Sequence, residues 1–477
     1  MYGWLSFWHP YKEWRRLPRN QAVHGEWWTP DEPESAVRGK LIIPRFGHPP
    51  LDFEGGDELL ALPFGPFDIL HGRIWDLANA PATVFRSIAT QGGPSYALNT
   101  PEPKQLRIGS VTINLLLIGR HLRSEAEPSG ITSASLLSPY LHAWGHFDGF
   151  SRPLVPPEQA DYALTFTPQR TEPVRVSDST TVHFECLLHR SGAWFGPAQI
   201  DLRQYTVAHL QFSRLVSLLD VQQDITRLTT FINFCLRRIV DEWDIFLGYE
   251  PDRAAAPPEQ QPGALIEAYS QFHSSSYNRP LLTRPDLGPE LSSSLARWWS
   301  TFDRFESAIG HHLGTLGDDI PYVHVRFLSV VQGLEAYHRC LGKGGHESEK
   351  IFKKGLYSIL KNVVPGDLPD PYKDAIFSKL RNLYEYTLID RLKQIYDAQK
   401  DMVDFGFRSV DDELGQIRTM RNRLAHGESA SSMDTREVLR LEDQSRLLLE
   451  SAIISKITTD KKMVRSRLYE IYHPTIR

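Results

Sequence analysis

Val410-Asp411-Asp412-Glu413-Leu414-Gly415-Gln416-Ile417-Arg418-Thr419-Met420-Arg421-Asn422-Arg423-Leu424-Ala425-His426-Gly427 is the stretch on which the reading of this sequence turns. Acids at its start suit the positive end of a helix dipole and the glycine at its end suits a left-handed cap, so the spelling predicts a helix over about 410–426. At about 100° per residue, Leu414, Ile417, Met420, Leu424 and Ala425 fall on one arc, with Arg421 in its middle. A guanidinium there needs an acidic partner, an interface or a bound anion, because it cannot rest in hydrocarbon. Asn422 and His426, four apart, share a neighbouring face, and Arg418 lies between that face and Arg421. His426 occupies the last turn, and histidine is the side chain that most readily exchanges a proton near neutral pH.

The spelling alone carries little. Fifteen lysines leave 38 arginines among the 53 basic residues, and with 18 histidines random usage yields about one Arg-x4-His string. The chain contains that accident: Arg19-Asn20-Gln21-Ala22-Val23-His24-Gly25 follows Pro18 and lacks a helical apolar stripe. For the C-terminal copy two readings stay open. Either Arg421 pairs with an acid inside a bundle and His426 merely caps the helix, or both carry chemistry.

Outward from this stretch, residues 321–477 read as a bundle of helices. Phe327, Val330, Val331, Leu334, Tyr337 and Leu341 form one face of a first helix that stops at Gly342-Lys343-Gly344-Gly345. Further helices are expected over about 347–363, 372–384, 388–405 and 435–457, with short connections. Residues 208–320 read as a helical bridge: Leu215, Leu218, Leu219, Ile225, Leu228 and Phe231 recur at three and four, and 265–272 and 291–313 look helical. Proline-rich stretches such as Pro251 to Pro262 interrupt it as exposed loops. Residues 1–207 are β-rich, with short apolar runs such as Gly39-Lys40-Leu41-Ile42-Ile43, Gly109-Ser110-Val111-Thr112-Ile113 and Val182-His183-Phe184-Glu185-Cys186 between turn residues. That rhythm suits an antiparallel, sandwich-like domain. Trp4, Trp8, Trp14, Trp27 and Trp28 fit core and edge packing better than a base-stacking platform. The fold class is therefore α+β and multidomain.

Composition narrows the function. A length of 477 residues predicts two or three domains. Twelve of the fifteen lysines lie from Lys343 onward, a change of character between two units. The net charge of −5 gives no overall drive toward nucleic acid. Three cysteines, Cys186, Cys235 and Cys340, are too few and too scattered for a disulfide framework, which fits a reducing cytoplasm. No signal peptide or membrane-length apolar run is read. There is no P-loop, no His-Glu-x-x-His or paired-cysteine zinc spacing and no nucleophile elbow, so no metal or cofactor is expected. The acid pairs Asp241-Glu242 and Asp411-Asp412 flank helices, which weakens a glycan-hydrolysing reading.

Arg421-Asn422-x3-His426-Gly427 on the penultimate helix of a C-terminal bundle resembles the HEPN superfamily, whose active members carry Arg-x4-6-His with a polar residue after the arginine. Phe327-Leu328-Ser329-Val330-Val331-Gln332-Gly333-Leu334-Glu335-Ala336 resembles the Apea-type branch, and Val37-Arg38-Gly39-Lys40-Leu41 with Leu70-His71-Gly72-Arg73 is similar to the N-terminal domain paired with it. The resemblance implies a metal-independent endoribonuclease that joins two protomers at a composite cleft. His426 would be the acid/base group, Arg421 the phosphate ligand and Asn422 an orienting group. Arg418 and Arg423 would hold the RNA backbone, and Glu335 would support Arg421. It also implies antiphage defence by cutting infected-cell RNA until growth stops, with an N-terminal sensor for a phage-derived protein trigger. The competing expectation is a catalytically inactive HEPN module that binds nucleotide or RNA, with a protein-recognition β domain.

Overall fold

The computed structural model describes residues 20–44, 48–54, 67–77, 79–93, 107–151, 165–191, 201–240, 243–249, 263–267, 279–317, 322–342, 345–346, 348–428 and 433–476. Trp4, Trp8, Trp14, Arg19 and the connector 251–262 lie outside them. The chain clusters into two compact units, Met1–Ile232 with Val240–His273, and Asn233–Ile239 with Ser274–Arg477.

The first unit is antiparallel β. Its strands begin with β1 (Ala22–Trp28), β2 (Val37–Ile42), β3 (Pro50–Phe53), β4 (Phe67–Ile74), β5 (Ala80–Gly93) and β6 (Arg107–Thr112). There follow β7 (Leu115–Ile118), β8 (Pro128–Leu137), the ribbon β9 (Phe150–Ser151) and β10 (Thr165–Phe166), and β11 (Val174–Arg175). The last are β12 (Thr180–Ser191), β13 (Asp201–Ser217), β14 (Asp244–Tyr249) and β15 (Gly263–Glu267). All but the ribbon join one 13-stranded sheet in the order β11-β12-β13-β8-β14-β15-β7-β5-β4-β1-β2-β3-β6.

Part of that sheet closes. The long β5 pairs with β4 on one edge, and on the other with β7 at Ala82–Phe85 and with β6 at Ile88–Gly93. Since β6 also pairs with β3, the strands β5, β4, β1, β2, β3 and β6 form a ring, which removes their exposed edges. Its interior is apolar, with Val23, Trp27, Leu41, Leu51, Leu70, Val84 and Val111 all buried. Trp27 is the largest of them and explains two glycines. A Cβ at Gly72 would lie 2.3 Å from the indole ring, and one at Gly39 would lie 2.9 Å from it. Only residues without side chains leave room for the indole.

The expected helix from about residue 208 begins ten residues later. Thr206, Ala208, Leu210 and Phe212 are buried in alternation with His209 and Gln211, so this segment is strand, and β13 continues to Ser217. A register shift between Gln211 and Val216 breaks the alternation there and lets Leu215 mimic a helical stripe. The short helix α1 (Pro139–Gly145) lies earlier in the chain, and helix α2 spans Leu218–Leu236. Of residues 265–272, expected as helix, 265–267 belong to β15 and the rest lie outside the described residues.

The second unit is helical: α3 (Leu291–Leu313), α4 (Val323–Cys340), α5 (Glu349–Lys354), α6 (Leu356–Val363), α7 (Asp370–Arg381), α8 (Leu388–Val403), α9 (Val410–Ala425), α10 (Thr435–Ile454) and α11 (Lys461–Ile476). The single helix expected over 347–363 is broken at Gly355. Helix α11 lies beyond the last expected helix, 435–457, although Val464, Leu468 and Tyr472 are buried at a spacing of four. The α10 helix is the bundle's axis and packs on α4, α8 and α11.

The centre of the bundle is polar. Glu450 on α10 is fully buried and accepts from Arg237 Nε at 2.9 Å and Tyr472 Oη at 2.7 Å. His312, also fully buried, lies 3.5 Å from the same carboxylate. Burial, followed by the charges of Arg446 and Arg237, holds His312 far below the ordinary histidine pKa.

Two outcomes follow. Gly72→Val should destabilise the first unit by about 1–3 kcal/mol through overpacking against Trp27, read as a lower urea midpoint. Gly366→Ala, where a Cβ meets nothing within 4 Å, is the control. An unchanged midpoint for Gly72→Val would refute the clamp. For His312 the unfolded chain takes up a proton near pH 6.5 and the folded chain only far below it. The unfolded state thus binds more protons, and stability should fall as pH drops below about 6.5. Urea midpoints between pH 7.5 and 5 should show that slope, and His312→Phe should lessen it, leaving the part that other depressed histidines contribute.

Candidate active site

Ser409 precedes α9, whose first turn carries Asp411, Asp412 and Glu413. Glu413 is buried, accepts from the Arg408 backbone N–H at 2.8 Å and from Arg440 Nη1 at 3.2 Å, and so fixes the start of the helix. Leu414, Ile417 and Met420 are buried along its inner face, as the periodicity requires. Leu424 is half-buried and Ala425 exposed, so the apolar stripe fades toward the C-terminus.

Arg421 lies where the stripe gives way to solvent. Its Nη2 donates to Glu335 Oε1 on α4 at 3.1 Å, with the carboxylate 15% exposed and the arginine 33% exposed. Its Nη1 reaches Asn422 Oδ1 at 3.3 Å. The other oxygen of Glu335 faces Arg339 Nη2 at 3.8 Å. Of the options open for a guanidinium at this position, the structure holds an acidic partner, Glu335. Exposed His426 ends the helix with φ −89° and donates its backbone N–H to Asn422 O at 3.0 Å. Gly427 follows at φ +80°, the left-handed cap that glycine makes without strain. His426 thus stands exposed at the helix end, and Arg423 is turned to Glu428, 2.6 Å away.

All six sequence-derived residues, Arg421, Asn422, His426, Arg418, Arg423 and Glu335, line one depression of about 810 Å³. Five arginines and His426 face three glutamates there. The remaining arginines, Arg339 on α4 and Arg391 on α8, were not singled out from the sequence. Arg391 had a readable signal, because it sits beside Leu392 and Ile395 on the buried face of α8, as Arg421 does on α9. It is 4% exposed, donates Nε to Tyr386 O at 3.0 Å and lies 3.5 Å from Glu385 Oε2. Burial, and then the charge of Arg339, push its pKa down from the ordinary arginine value. The net cationic lining, a planar guanidinium on a neutralisable partner and an exposed imidazole suit recognition of a phosphate group.

Of the N-terminal look-alike, Arg19 lies outside the described residues. His24 lies on β1, with its backbone N–H donating to Asp76 Oδ2 at 2.7 Å, and that bond with its partner imidazole holds the Asp76 carboxyl below its usual value.

The chain matches the ApeA N-terminal domain 1 over residues 22–298 and the Apea-like HEPN domain over residues 328–462. It belongs to the family that these two domains define. The first match includes β14, β15 and the end of β13, within residues 208–320 that the sequence suggested as a helical bridge. The second runs from α4 to the start of α11 and contains the whole candidate site. No curated protein and no solved structure matches the chain. Among the described residues no helix is long and apolar enough to cross a membrane.

Removal of the carboxylate that neutralises two arginines should make the depression a better anion trap. Glu335→Gln should bind tripolyphosphate several-fold tighter than wild type by calorimetry, while stability changes by less than about 1 kcal/mol because the pair is partly exposed. Equal or weaker binding would mean that Glu335 orders the site rather than restrains it.

Proposed function

We propose that the chain is a cytoplasmic antiphage defence effector, a metal-independent endoribonuclease whose HEPN pockets from two copies form a composite site under control of the N-terminal unit. The observation that carries this reading is the gathering of Arg421, Asn422 and His426 with Arg418 and Arg423 around one depression. Transfer of a phosphoryl group to a ribose 2′-hydroxyl needs a base for that hydroxyl, an acid for the departing 5′-oxygen and positive charge around the phosphorane. His426 supplies proton transfer. A single imidazole cannot serve both oxygens on opposite sides of the phosphorus at once, so a second copy's pocket gives the reaction its partner group. Arg421 presents two parallel N–H donors to the non-bridging oxygens and exchanges Glu335 for the phosphate. Asn422, at the neighbouring position, orients that fork through its Oδ1. Arg418 and Arg423 hold flanking phosphates without reading sequence.

The pairing of Arg421 with Glu335 in one chain also favours a second reading, an inactive HEPN module that binds RNA or nucleotide, with the β unit recognising a protein.

Purified protein, with a phage-derived trigger where one is needed, should cut single-stranded RNA in EDTA. His426→Ala should slow cutting at least about 100-fold, the usual range for loss of a general acid–base group, and Arg421→Lys should act similarly because the bidentate fork is lost. Unchanged cleavage by His426→Ala would sink the nuclease reading. RNA binding that is weakened by Arg421→Ala, with no product under any condition, would establish the second.

A further inference from the structure

The first unit holds another cluster of chemistry-bearing side chains, placed by strand register. His183 on β12 is the direct cross-strand partner of His209 on β13, and Glu185 is two residues further along β12. By the pleat, all three point away from the face that buries Val182, Phe184 and Ala208. The two imidazoles stack, with centroids 4.6 Å apart and planes 21° apart. Ser135 of β8, opposite His209 in the ladder, has its Oγ 2.9 Å from His209 Nδ1. That contact turns His209 Nε2 toward Glu185 Oε2, 3.8 Å away. His183 is 3% exposed, and its buried Nδ1 has no hydrogen-bond partner among the described residues. One donor atom from each of the three residues lies within 4.8 Å of the others. Burial first, then neighbouring positive charge, pushes His183 down to about 4 and, with burial again the largest cause, His209 down to about 3.

One group opposes a cation. Arg170 Nη2 lies 3.2 Å from His183 Nε2, and Arg170 bridges to Glu185 through the backbone.

We propose that His183, Glu185 and His209 bind one divalent ion of the zinc class, and that the Arg170 guanidinium is the built-in competitor that withdraws when the ion enters. Two imidazoles and one carboxylate form a borderline-soft donor set that favours zinc over magnesium or calcium, which seek oxygen shells. Three protein donors leave a fourth position for water. Bonds of about 2.0–2.2 Å to a tetrahedral ion bring donors to about 3.3 Å of one another, so the three side chains close inward on binding. Ser135 is a positioning residue, because its contact with Nδ1 fixes which nitrogen of His209 faces the ion. The ion ties β12 to β13 and takes the place of the positive charge that Arg170 supplies. The site belongs to the first unit alone and is independent of the Arg421 and His426 pocket.

The test uses the full chain, stripped with EDTA, exchanged into chelator-free buffer and titrated with zinc chloride against a chromogenic chelator. Wild type should take up one tight equivalent per chain. His209→Ala and Glu185→Gln should weaken that equivalent at least tenfold, and Arg170→Gln should tighten it several-fold. Cobalt(II) in place of zinc should give visible absorption bands that the His209→Ala chain lacks. Thermal melts of the apo chains separate lost binding from lost folding. If the histidine variant unfolds, Glu185→Gln and Arg170→Gln still decide the matter, since the first keeps side-chain size and the second only shortens an exposed side chain. Absence of a tight equivalent in wild type, or equal zinc affinity in wild type, Glu185→Gln and Arg170→Gln, would overturn the proposal.

Discussion

A guanidinium on the bundle-facing side of a helix must meet a negative charge, and in this chain the Arg421–Glu335 pair at 3.1 Å meets that need. The rest of the pocket follows from it. The pair spans α9 and α4 and divides Glu335 between Arg421 and Arg339. Three further arginines then line the same depression with incomplete compensation by Glu385 and Glu428. A site built this way carries its own stand-in anion. In the proposed reaction the scissile phosphate competes with Glu335 for one arginine, so substrate binding and release of the resting pair become a single event.

What was legible in the sequence followed local rules. Leu414, Ile417 and Met420 recur at helical spacing and are buried, and Gly427 takes the left-handed cap that its place after His426 announces. The division into an antiparallel β-rich half and a helical half could likewise be read from the periods of two and 3.6. The departures come from long-range pairing. A bulge before Val216 disguised the end of β13 as helix, and Gly355 split a helix whose apolar pattern runs on unbroken. Glu335 was visible as a candidate only through the resemblance of the stretch Phe327 to Ala336 to the Apea-type branch. Arg391 carried the same signal as Arg421 but lay in a helix without a glycine-capped histidine to draw the eye.

The two units obey one rule in different materials. In the ring of six strands, Gly72 and Gly39 give up their side chains so that Trp27 can fill the interior. In the bundle, Glu450 collects Arg237, Tyr472 and the neutral His312 at a depth where an unpaired charge is unaffordable. His183, Glu185 and His209 show why spacing rules for metal motifs miss sites made by sheets. The histidines are neighbours through the β12–β13 ladder, with no short repeat in the chain to reveal it.

The central claim is that Arg421 and His426 promote attack by a ribose 2′-hydroxyl, and the ends of the RNA products report that chemistry directly. Cleavage in EDTA should leave 2′,3′-cyclic phosphate and 5′-hydroxyl ends, and a substrate with 2′-deoxyribose at the cut position should survive. Products with 3′-hydroxyl and 5′-phosphate ends, or cleavage that ceases when metal is removed, would contradict the account.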